Sequence, residues 1–450
     1  MQTTDYIKEH NAKHIIHPMA NQKALAENPP VVINGAKGVF ITDIDGNEMV
    51  DGVGGLWNVN VGYDRPEIKQ AIIEQLDKLS YYSIFNGTAN DVSIELSAKL
   101  MELTEPENMA RAFFTSGGSD SVETALRLAR IYWKIMGYKD RTKFISLKYG
   151  YHGTHFGAAS VNGNTVYRRN FEPLLPGCFH IESPYMYRNP FTDDPQELGK
   201  ICAELLDREI IFQGPDTVAA FIAEPVQGAG GVIVPPDNFW PLVREVCNDH
   251  GVLLIADEVI TGFGRTGSLF GSRGWGVAPD MMTMAKGINS GYVPLGATLV
   301  NERISDALMA SEDTFGMVMH GYTYSGHPVA CAAALPNLDI ILREDLASNA
   351  GVQGDYLLSK LQPFVERFAS VGEVRGKGLM VALEMVTDKE TKAPHDPDFG
   401  KQIAGIARQE GAMVRNSGNR IMLSPPLSIQ SHELDIIVNA LDVAFSELDR

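Results

Sequence analysis

The strongest constraint on this chain is a repeated pattern in which a short apolar run ends in an acid and a glycine-rich turn. Residues 253–267 (LLIADEVITGFGRTG) hold the clearest copy, in which the apolar run leads directly to Asp257 and Glu258. Residues 218–231 repeat the pattern, with Glu224 after the apolar run. A continuous apolar run suits a strand that is covered on both faces of a parallel sheet, and ligands collect at the carboxyl ends of such strands. These acids are therefore candidate site residues.

The alternation of strand-like and helix-like stretches predicts the fold class. From about residue 110 to 300, apolar runs alternate with helical patterns such as residues 237–251. This alternation predicts an α/β fold with a mainly parallel, doubly wound sheet. Beyond about residue 329, helices mix with short strands, which indicates a smaller α+β domain. We expect an N-terminal segment that packs with the small domain (1–60), a large domain (61–328) and a C-terminal small domain (329–450).

Composition excludes several classes of partner. The net charge of -18 argues against nucleic acid and anionic membrane, because both present negative charge. No apolar run approaches the roughly 20 residues that are needed to span a bilayer. The N-terminal residues are charged and lack the apolar stretch of a signal peptide. The four cysteines are scattered without a Cys-x-x-Cys pair, which favours reduced thiols. We therefore expect a cytoplasmic protein.

Asp257 has two chemical interpretations. An apolar run followed by Asp-Glu is typical of the Mg²⁺-binding strand of an NTPase, but the chain lacks the glycine-rich loop ending in Gly-Lys-Ser/Thr that this requires. The other interpretation pairs Asp257 with Lys286, which follows the apolar residues 281–285. A carboxylate for a pyridinium nitrogen and a lysine for a Schiff base are the pair that pyridoxal phosphate (PLP) chemistry requires. A surface lysine after a core strand is the alternative for Lys286 alone.

Residues 113–133 (FFTSGGSDSVETALRLARIYW) predict an anion site. The strand-like run ends at Thr115, residues 116–119 form a tight turn, and a helical pattern follows. Free backbone N–H groups and the helix dipole at such a junction attract an anion. The spacing matches neither a dinucleotide fingerprint nor a P-loop, so we expect one phosphate at Gly118 and Ser119. An ordinary helix cap is the alternative.

Two His-x-x-His spacings do not predict a metal site. His14 and His17 form one, and His152 and His155 form the other. Pro18 and Gly153 interrupt these stretches, and further ligands are missing nearby. We expect no metal ion.

Several aromatic and charged residues in loops are candidates for pocket positions. Tyr151 and His152 lie in a glycine-containing loop where a flat ring can stack. Glycines surround Trp57, and Phe85 follows two tyrosines in a connecting stretch. Arg415 precedes a glycine turn and has the guanidinium geometry to clamp a carboxylate. Core packing of the aromatic residues and solvation of the arginine are the alternatives.

Together these motifs resemble the class III PLP-dependent aminotransferases, and specifically their ω-amino acid or amine:pyruvate branch. The resemblance extends from Gly-Leu-Trp at Trp57 to Pro-Pro-Leu at Leu427, and the combination of DEVITGFGRTG with the later AKG is highly specific. It implies the PLP-dependent transferase fold type I. It also implies a homodimer or a dimer of dimers in which both subunits build each site.

The resemblance implies a role for each cofactor-binding residue. Lys286 is similar to the Schiff-base lysine that also shuttles the proton, and Asp257 to the partner of the pyridinium nitrogen. The remaining expected cofactor contacts are Tyr151 over the ring, Val259 under it, His152, Glu224, Gly118 and Ser119 at the phosphate, and Thr323 of the neighbouring subunit.

The resemblance also implies the substrate residues and the reaction. Trp57, and Phe85 from the partner, line the implied substrate pocket, and Arg415 matches a mobile arginine that binds the acceptor's carboxylate. The implied reaction is a ping-pong transamination from an ω-amino acid, diamine, polyamine, taurine-like compound or other primary amine to pyruvate. An aminomutase or decarboxylase on the same fold is the alternative, and a non-catalytic or NTP-binding protein is a remote one.

Three departures from the family pattern bear on specificity. Gly117 stands where many relatives have serine, so one phosphate contact is missing. Residues 227–229 are Gln-Gly-Ala, where ornithine- and γ-aminobutyrate-type relatives typically have Gln-Gly-Glu. Ile260 stands where those relatives usually have glutamine. The last two differences favour the pyruvate-linked branch.

Overall fold

The computed structural model describes residues 3–312, 315 and 317–449. Within this part of the chain, no helix is long and apolar enough to cross a membrane. The α-helices are α1 (Thr4–His14), α2 (Gln22–Glu27), α3 (Gly54–Trp57), α4 (Pro66–Lys78), α5 (Asp91–Leu103), α6 (Gly118–Ile135), α7 (Phe156–Ser160), α8 (Pro195–Gln213), α9 (Phe239–Asp249), α10 (Gly271–Gly274), α11 (Glu302–Ala310), α12 (Pro328–Arg343), α13 (Leu346–Leu361), α14 (Phe364–Arg367), α15 (Pro397–Gln409) and α16 (Ser431–Leu448).

The strands form three sheets. They are β1 (Ile33–Lys37), β2 (Phe40–Asp43), β3 (Glu48–Asp51), β4 (Met109–Thr115), β5 (Lys143–Leu147), β6 (Cys178–Ile181), β7 (Val218–Ala223), β8 (Leu253–Asp257), β9 (Met281–Met284), β10 (Gly296–Asn301), β11 (Val371–Lys377), β12 (Met380–Asp388), β13 (Ala393–Pro394), β14 (Ala412–Met413), β15 (Arg415–Ser417) and β16 (Arg420–Leu423).

A seven-stranded sheet in the order β4-β10-β9-β8-β7-β5-β6 forms the centre of the fold. Its strands β6, β5, β7, β8 and β9 are mutually parallel, whereas β10 runs antiparallel to both of its neighbours. The carboxyl ends of β7, β8 and β9 therefore lie side by side at one edge. Asp257 is the last residue of β8, and Glu224 and Lys286 come shortly after the ends of β7 and β9.

Helices cover both faces of this sheet because its inner strands are apolar on both sides. Phe221 and Leu254 pack in one buried cluster with residues of α8 and α9, such as Trp240. Their neighbours Ile222 and Ile255 pack in another cluster with residues of α6 and α11. Successive strand side chains point to opposite faces, so a continuous apolar run requires a helix layer on each.

The two smaller sheets lie in the outer parts of the sequence. One has the order β1-β2-β3-β14, in which β3 and β14 pair in parallel through Val50–Ala412 and Asp51–Met413. The other has the order β11-β12-β16-β15, with β13 paired to β12. The hairpin of β15 and β16 presents Arg415 at its first position.

The predicted fold class is confirmed. The sheet is mainly parallel and doubly wound, and an α+β arrangement follows it in the chain. The antiparallel direction of β10 was not predicted from the sequence. The direction of β10 depends on its pairing with β4, which lies far away in the sequence. The apolar run that forms β10 does not indicate the direction in which the strand pairs.

Candidate active site

Asp257 ends the central strand β8 and is held on both carboxylate oxygens. Its Oδ2 lies 2.7 Å from Nδ1 of His152, and its Oδ1 accepts hydrogen bonds from the Thr283 hydroxyl at 2.9 Å and the Val259 N–H at 3.2 Å. His152 is kept in place by its backbone N–H, which donates to Oδ1 of Asn162 at 2.6 Å. The Asp257 carboxylate is therefore buried with one fixed orientation.

Glu258, the next acid along, points away from Asp257 and has a structural role. Its carboxylate accepts hydrogen bonds from the hydroxyls of Thr261 and Ser272 and from the backbone N–H groups of Gly271 and Ser272. Burial raises its pKa above the ordinary value for glutamate. The two adjacent acids at the strand end thus have different environments. Asp257 is held by His152, and Glu258 is held within the turn that follows.

Glu224 follows β7 and lies beside the same edge. Its Oε1 accepts from the Tyr151 N–H at 2.9 Å, and its Oε2 accepts from the Gly228 N–H at 2.9 Å. Burial raises its pKa to about 7, while His152 acts in the opposite direction. A carboxyl group with such a pKa exchanges its proton near neutrality, as a general acid–base group must.

Lys286 begins a single 3-10 turn, Lys286–Ile288, directly after β9. Its backbone has φ 44°, the left-handed region that a residue other than glycine adopts at a cost. Burial lowers the pKa of its ammonium group to about 8, against the opposing charges of Asp257 and Glu224. A lysine of this kind is readily deprotonated and can act as a nucleophile or base.

The predicted anion turn lies at the start of the long helix α6. Gly117 caps the helix, and a Cβ on Gly118 would lie 2.8 Å from Cγ1 of Val259, so only glycine allows this close approach. The Ser119 hydroxyl accepts from the Thr154 N–H at 3.1 Å. Free N–H groups of the first helical turn thus face the region next to Val259.

A cavity of about 320 Å³ joins these groups. It brings together eight of the predicted residues, Gly118, Ser119, Tyr151, His152, Glu224, Asp257, Val259 and Lys286. Burial raises the pKa of Tyr151 to about 12, so its phenol is neutral, and its ring meets that of Tyr167 edge-on at 4.8 Å. The cavity is therefore lined by one aromatic hydroxyl, one amine, one imidazole and two carboxyl groups.

Four predicted residues lie outside the lining of this cavity. Trp57 is 2% exposed and packs in the buried cluster that contains Ile260. Phe85 is 39% exposed and lines a separate surface cavity, and Thr323 is also exposed, with its carbonyl accepting from the Tyr81 hydroxyl at 2.6 Å. The Arg415 side chain is half-buried, and its charge contributes to the low pKa of Lys286.

Sequence reasoning missed several residues of the site. Thr283 and Asn162 support Asp257 and His152, and the cavity is also lined by Asn58, Ser116, Gly153, Ala285, Asn289, Gly291, Val293, Pro294 and Leu295. The position of Thr283, three residues before Lys286 in a strand next to β8, was an available signal. Asn162 belongs to a loop and had none. Among the described residues, no group of three or more histidine, cysteine or acidic side chains is arranged to hold a metal ion.

Glu224 should make stability depend on pH. Between its ordinary pKa of 4.5 and the folded value of about 7, the folded protein keeps a proton that the unfolded chain has lost, so stability falls as pH rises through this window. Glu224→Gln removes this loss. Between pH 4.5 and 7, we expect the free energy of unfolding of wild type to fall by about 3 kcal/mol more than that of the variant. Urea unfolding of the protein without cofactor measures this, and parallel pH curves would contradict it.

The cavity fits PLP. A buried lysine and a carboxylate fixed by an imidazole are the groups that this cofactor requires, and the helix N-terminus beside Val259 suits its phosphate. In addition, Nε2 of His152 is buried without a hydrogen-bond partner among the described residues, which leaves a polar atom available at the cavity wall. A doubly wound sheet with this site at its carboxyl edge defines a PLP-dependent enzyme of fold type I.

Comparisons with known proteins support this class of enzyme. Residues 22–445 match the family described as aminotransferase class-III. The putrescine–pyruvate aminotransferase of Pseudomonas aeruginosa is 40% identical over 427 residues, which cover 94% of this chain and 92% of that protein. The diaminobutyrate–2-oxoglutarate transaminase of Halomonas elongata is 39% identical over 432 residues, with the same two coverages of 94% and 92%. The protein belongs to the class III aminotransferases, and its cofactor is PLP.

Solved structures are similar over nearly the whole chain. An amine transaminase from an uncultivated Pseudomonas species, in its PLP-bound form, is 54% identical with a TM-score of 0.95, and the match covers 96% of this chain and 98% of that one. An (S)-enantioselective ω-transaminase from Thermomicrobium roseum is 43% identical with a TM-score of 0.96, covering 100% and 99%. The fold and the family are therefore those predicted from the sequence.

Proposed function

We propose that this aminotransferase moves an amino group from a primary amine to pyruvate, giving alanine and an aldehyde or ketone, by a ping-pong mechanism. The donors in question are ω-amino acids, diamines, polyamines, taurine-like compounds and other primary amines. The observation that carries the proposal is the buried Lys286 of lowered pKa in a cavity with the His152–Asp257 pair.

Each residue of the cavity has a task that follows from its contacts. Bound PLP supplies an electron sink for the carbon that loses its proton. Asp257 would keep the facing ring nitrogen protonated, since both of its oxygens are held and charge-compensating donors surround it. Lys286 would form the covalent link and then move the proton, because a pKa lowered to about 8 makes its amine far easier to deprotonate than that of an ordinary lysine. Glu224 would keep the Tyr151 backbone in place and adjust the charge near Lys286.

The remaining cofactor contacts are proposed from the cavity lining. Val259 would pack against one face of the ring and Tyr151 against the other, with His152 beside Asp257. Gly118 and Ser119 would bind the phosphate through the N-terminus of α6. Trp57 would close the substrate side from the buried cluster that also contains Ile260.

Two residues of this chain, Ala229 and Ile260, support pyruvate as the acceptor. The relatives named above differ in their acceptor, one being a pyruvate and the other a 2-oxoglutarate enzyme by name. In this chain Ala229 stands where a glutamate is typical of ornithine- and γ-aminobutyrate-type relatives, and Ile260 lines the cavity where glutamine is usual. Ile260 makes the cavity less polar, and Ala229 removes a negative charge from the turn after Glu224; both changes suit a small acceptor with one carboxylate.

Arg415 should select the acceptor. Its side chain forms no hydrogen bond or ion pair with the rest of the described chain, so it is available for the carboxylate of pyruvate. We expect Arg415→Leu to raise the KM for pyruvate by about 10- to 100-fold, the loss of a charge-assisted bidentate contact, and to change the KM for an uncharged amine much less. Steady-state kinetics with each substrate varied measure the difference. Equal effects on both KM values would rule out a selective role.

Absorption spectroscopy tests the proposed reaction. The PLP-loaded protein should be yellow, the band should disappear with a true amine donor in the absence of acceptor, and pyruvate should restore it. A band that no amine changes would instead favour the alternative of an aminomutase or decarboxylase. A protein that binds no PLP at all would overturn the role of Lys286.

The partner and the compartment are proposals as well. We propose a homodimer, or a dimer of dimers, in which Phe85 and Thr323 reach the cavity of the neighbouring subunit. The support is the exposed surface around them, which contains Tyr81, Tyr82, Met317, Met319 and Tyr324. A patch of this kind is typical of a protein interface. Sedimentation of wild type and of a charged variant at Met319 tests it.

The domain division and location complete the proposal. We propose an N-terminal segment 1–60, a large domain 61–328 and a small domain 329–450, of which residues 1–2, 313–314, 316 and 450 lie outside the described chain. The parallel pairing of β3 with β14 supports packing of the N-terminal segment with the small domain. A cytoplasmic location fits four cysteines that are all free.

A further inference from the structure

A second buried charge cluster surrounds Glu384 on β12, outside the cavity. The carboxylate accepts five hydrogen bonds. The donors are Arg188 at 2.6 Å, Arg375 at 2.8 Å, Arg420 at 3.3 Å, the Tyr185 hydroxyl at 2.5 Å and Asn419 at 3.1 Å. The side chain of Glu384 is fully buried. Glu384 thus pairs with three guanidinium groups from three separate parts of the chain, of which, among the described residues, only Arg375 has a second acid, Glu373, as a partner.

Glu384 is ionised at neutral pH. Burial acts to raise its pKa, but Arg375 and Arg420 overcome this and hold the pKa at about 2. Loss of its charge would leave three arginine side chains with reduced compensation in a buried region, which is costly. The positions of Arg375 and Arg420 therefore depend on Glu384.

Both arginines also bind the turn that follows Glu224. Arg375 donates through Nε to the carbonyl of Gly231 at 2.9 Å, and Arg420 donates through Nη1 to the carbonyl of Gly230 at 2.9 Å. A Cβ on Gly231 would lie 2.7 Å from the Arg420 side chain, so glycine is needed for this contact. The cluster thus holds the turn 228–231 by its outer carbonyl groups.

The same turn presents the N–H that binds Glu224. Gly228 donates to Oε2 of Glu224 at 2.9 Å, and the Gly231 N–H donates back to the Gly228 carbonyl at 2.9 Å. The bonds between Gln227 and Ile233 close the turn at its base. A continuous set of hydrogen bonds therefore connects Glu384, through Arg420 or Arg375 and the turn, to a carboxyl group at the cavity.

We propose that Glu384 is a positioning residue, which holds the turn 228–231 through Arg375 and Arg420 and so sets the orientation of Glu224 at the cavity. Its effect on catalysis passes through Glu224, and it touches neither substrate nor cofactor. The proposal rests on the transaminase function above for its kinetic part only, because the position of the turn can be measured without any reaction.

A double-mutant cycle tests the path through Glu224. We expect Glu384→Gln to lower kcat/KM for the amine half-reaction about tenfold in the wild-type background, and less than about twofold in a Glu224→Gln background. A role in overall stability alone would give the same factor in both backgrounds. Arg420→Lys, which keeps the charge but not the planar fork between Glu384 and Gly230, should show the same non-additivity and serves if Glu384→Gln does not fold.

Asp280→Asn provides the matched control. Asp280 is buried and is bonded to Arg244 at 3.0 Å and Arg303 at 2.9 Å, but it lies before β9, at the opposite edge of the sheet from the cavity. This variant should lose thermal stability to a similar extent while kcat/KM changes less than about twofold. A loss of activity as large as that in Glu384→Gln would attribute the effect to general destabilisation and overturn the proposal.

Amide hydrogen exchange of the PLP-loaded protein measures the turn directly. The peptide that covers residues 227–233 should exchange faster in Glu384→Gln and Arg420→Lys than in wild type and Asp280→Asn. The proposal would be overturned by unchanged exchange in this peptide or by additive kinetic effects. It would also be overturned by an effect confined to the KM for pyruvate, because such an effect would act through the hairpin of Arg415. If wild type transaminates no amine, the proposed function fails, but the exchange experiment still decides this inference.

Discussion

Replacing Lys286 with alanine should lower turnover by more than about 10³-fold, because the covalent link and the movement of the proton both depend on its amine. The fold should survive. Burial disfavours the charged amine of Lys286, as its lowered pKa shows, and alanine removes this unfavourable buried group. PLP should still bind through the phosphate turn at Gly118 and the carboxylate of Asp257. Half-reaction kinetics with a primary amine, and circular dichroism for the fold, measure both expectations.

Lys143 offers a control for this substitution. Lys143 is also partly buried, donates to the Gln213 carbonyl at 2.7 Å and lies at the start of β5, away from the carboxyl edge. Lys143→Ala should therefore keep its activity within about threefold. Borohydride reduction should attach PLP covalently to the peptide of Lys286 in wild type and in Lys143→Ala alone. Full activity of Lys286→Ala would refute the assignment.

Replacing Asp257 with asparagine should be the second largest loss. Asparagine keeps the size and can still accept from Thr283 and Val259, but it removes the negative charge beside His152, which we propose faces the ring nitrogen. We expect kcat to fall about 10²- to 10³-fold, comparable with the removal of one preorganised electrostatic contact in other enzymes. Single-turnover kinetics, at saturating PLP, separate this loss from weaker cofactor binding.

Substitutions of two other buried acids test whether the loss of kcat depends on the position of the removed charge. Asp280→Asn, the same chemical change at the opposite edge of the sheet, should leave kcat nearly unchanged. Glu258→Gln disturbs four hydrogen bonds within the turn and should lower thermal stability more than kcat. A kcat for Asp257→Asn within about twofold of wild type would show that the ring nitrogen does not need this carboxylate.

Much of the fold and part of the site could be predicted from local patterns. The apolar runs that end at Asp257 and before Glu224 and Lys286 are strands because each residue in them is buried on one face or the other. Parallel strands align their carboxyl ends, so these three residues had to meet once the sheet was parallel. The glycine turn before α6 was visible for the same reason, as a strand followed by a helix start.

The interactions between distant parts of the chain were not predictable in this way. His152 and Asp257 are 105 residues apart, and nothing near either one indicates the 2.7 Å contact. Glu384 had no motif around it, because its five donors come from three separate segments of the chain. The separation of Glu258 from Asp257 also appeared only in the structure, since two adjacent acids are equivalent in a sequence pattern.

Short-range chemistry was therefore sufficient to predict the strands, the helix starts and the positions of Lys286 and Asp257 at the ends of strands, because each depends on the side chains within one element. Tertiary packing decided the antiparallel direction of β10, the partner of Asp257 and the cluster that holds the turn after Glu224. These features depend on which strands become neighbours. That choice is made by burial and hydrogen bonding over the whole chain, and no local window of residues contains it.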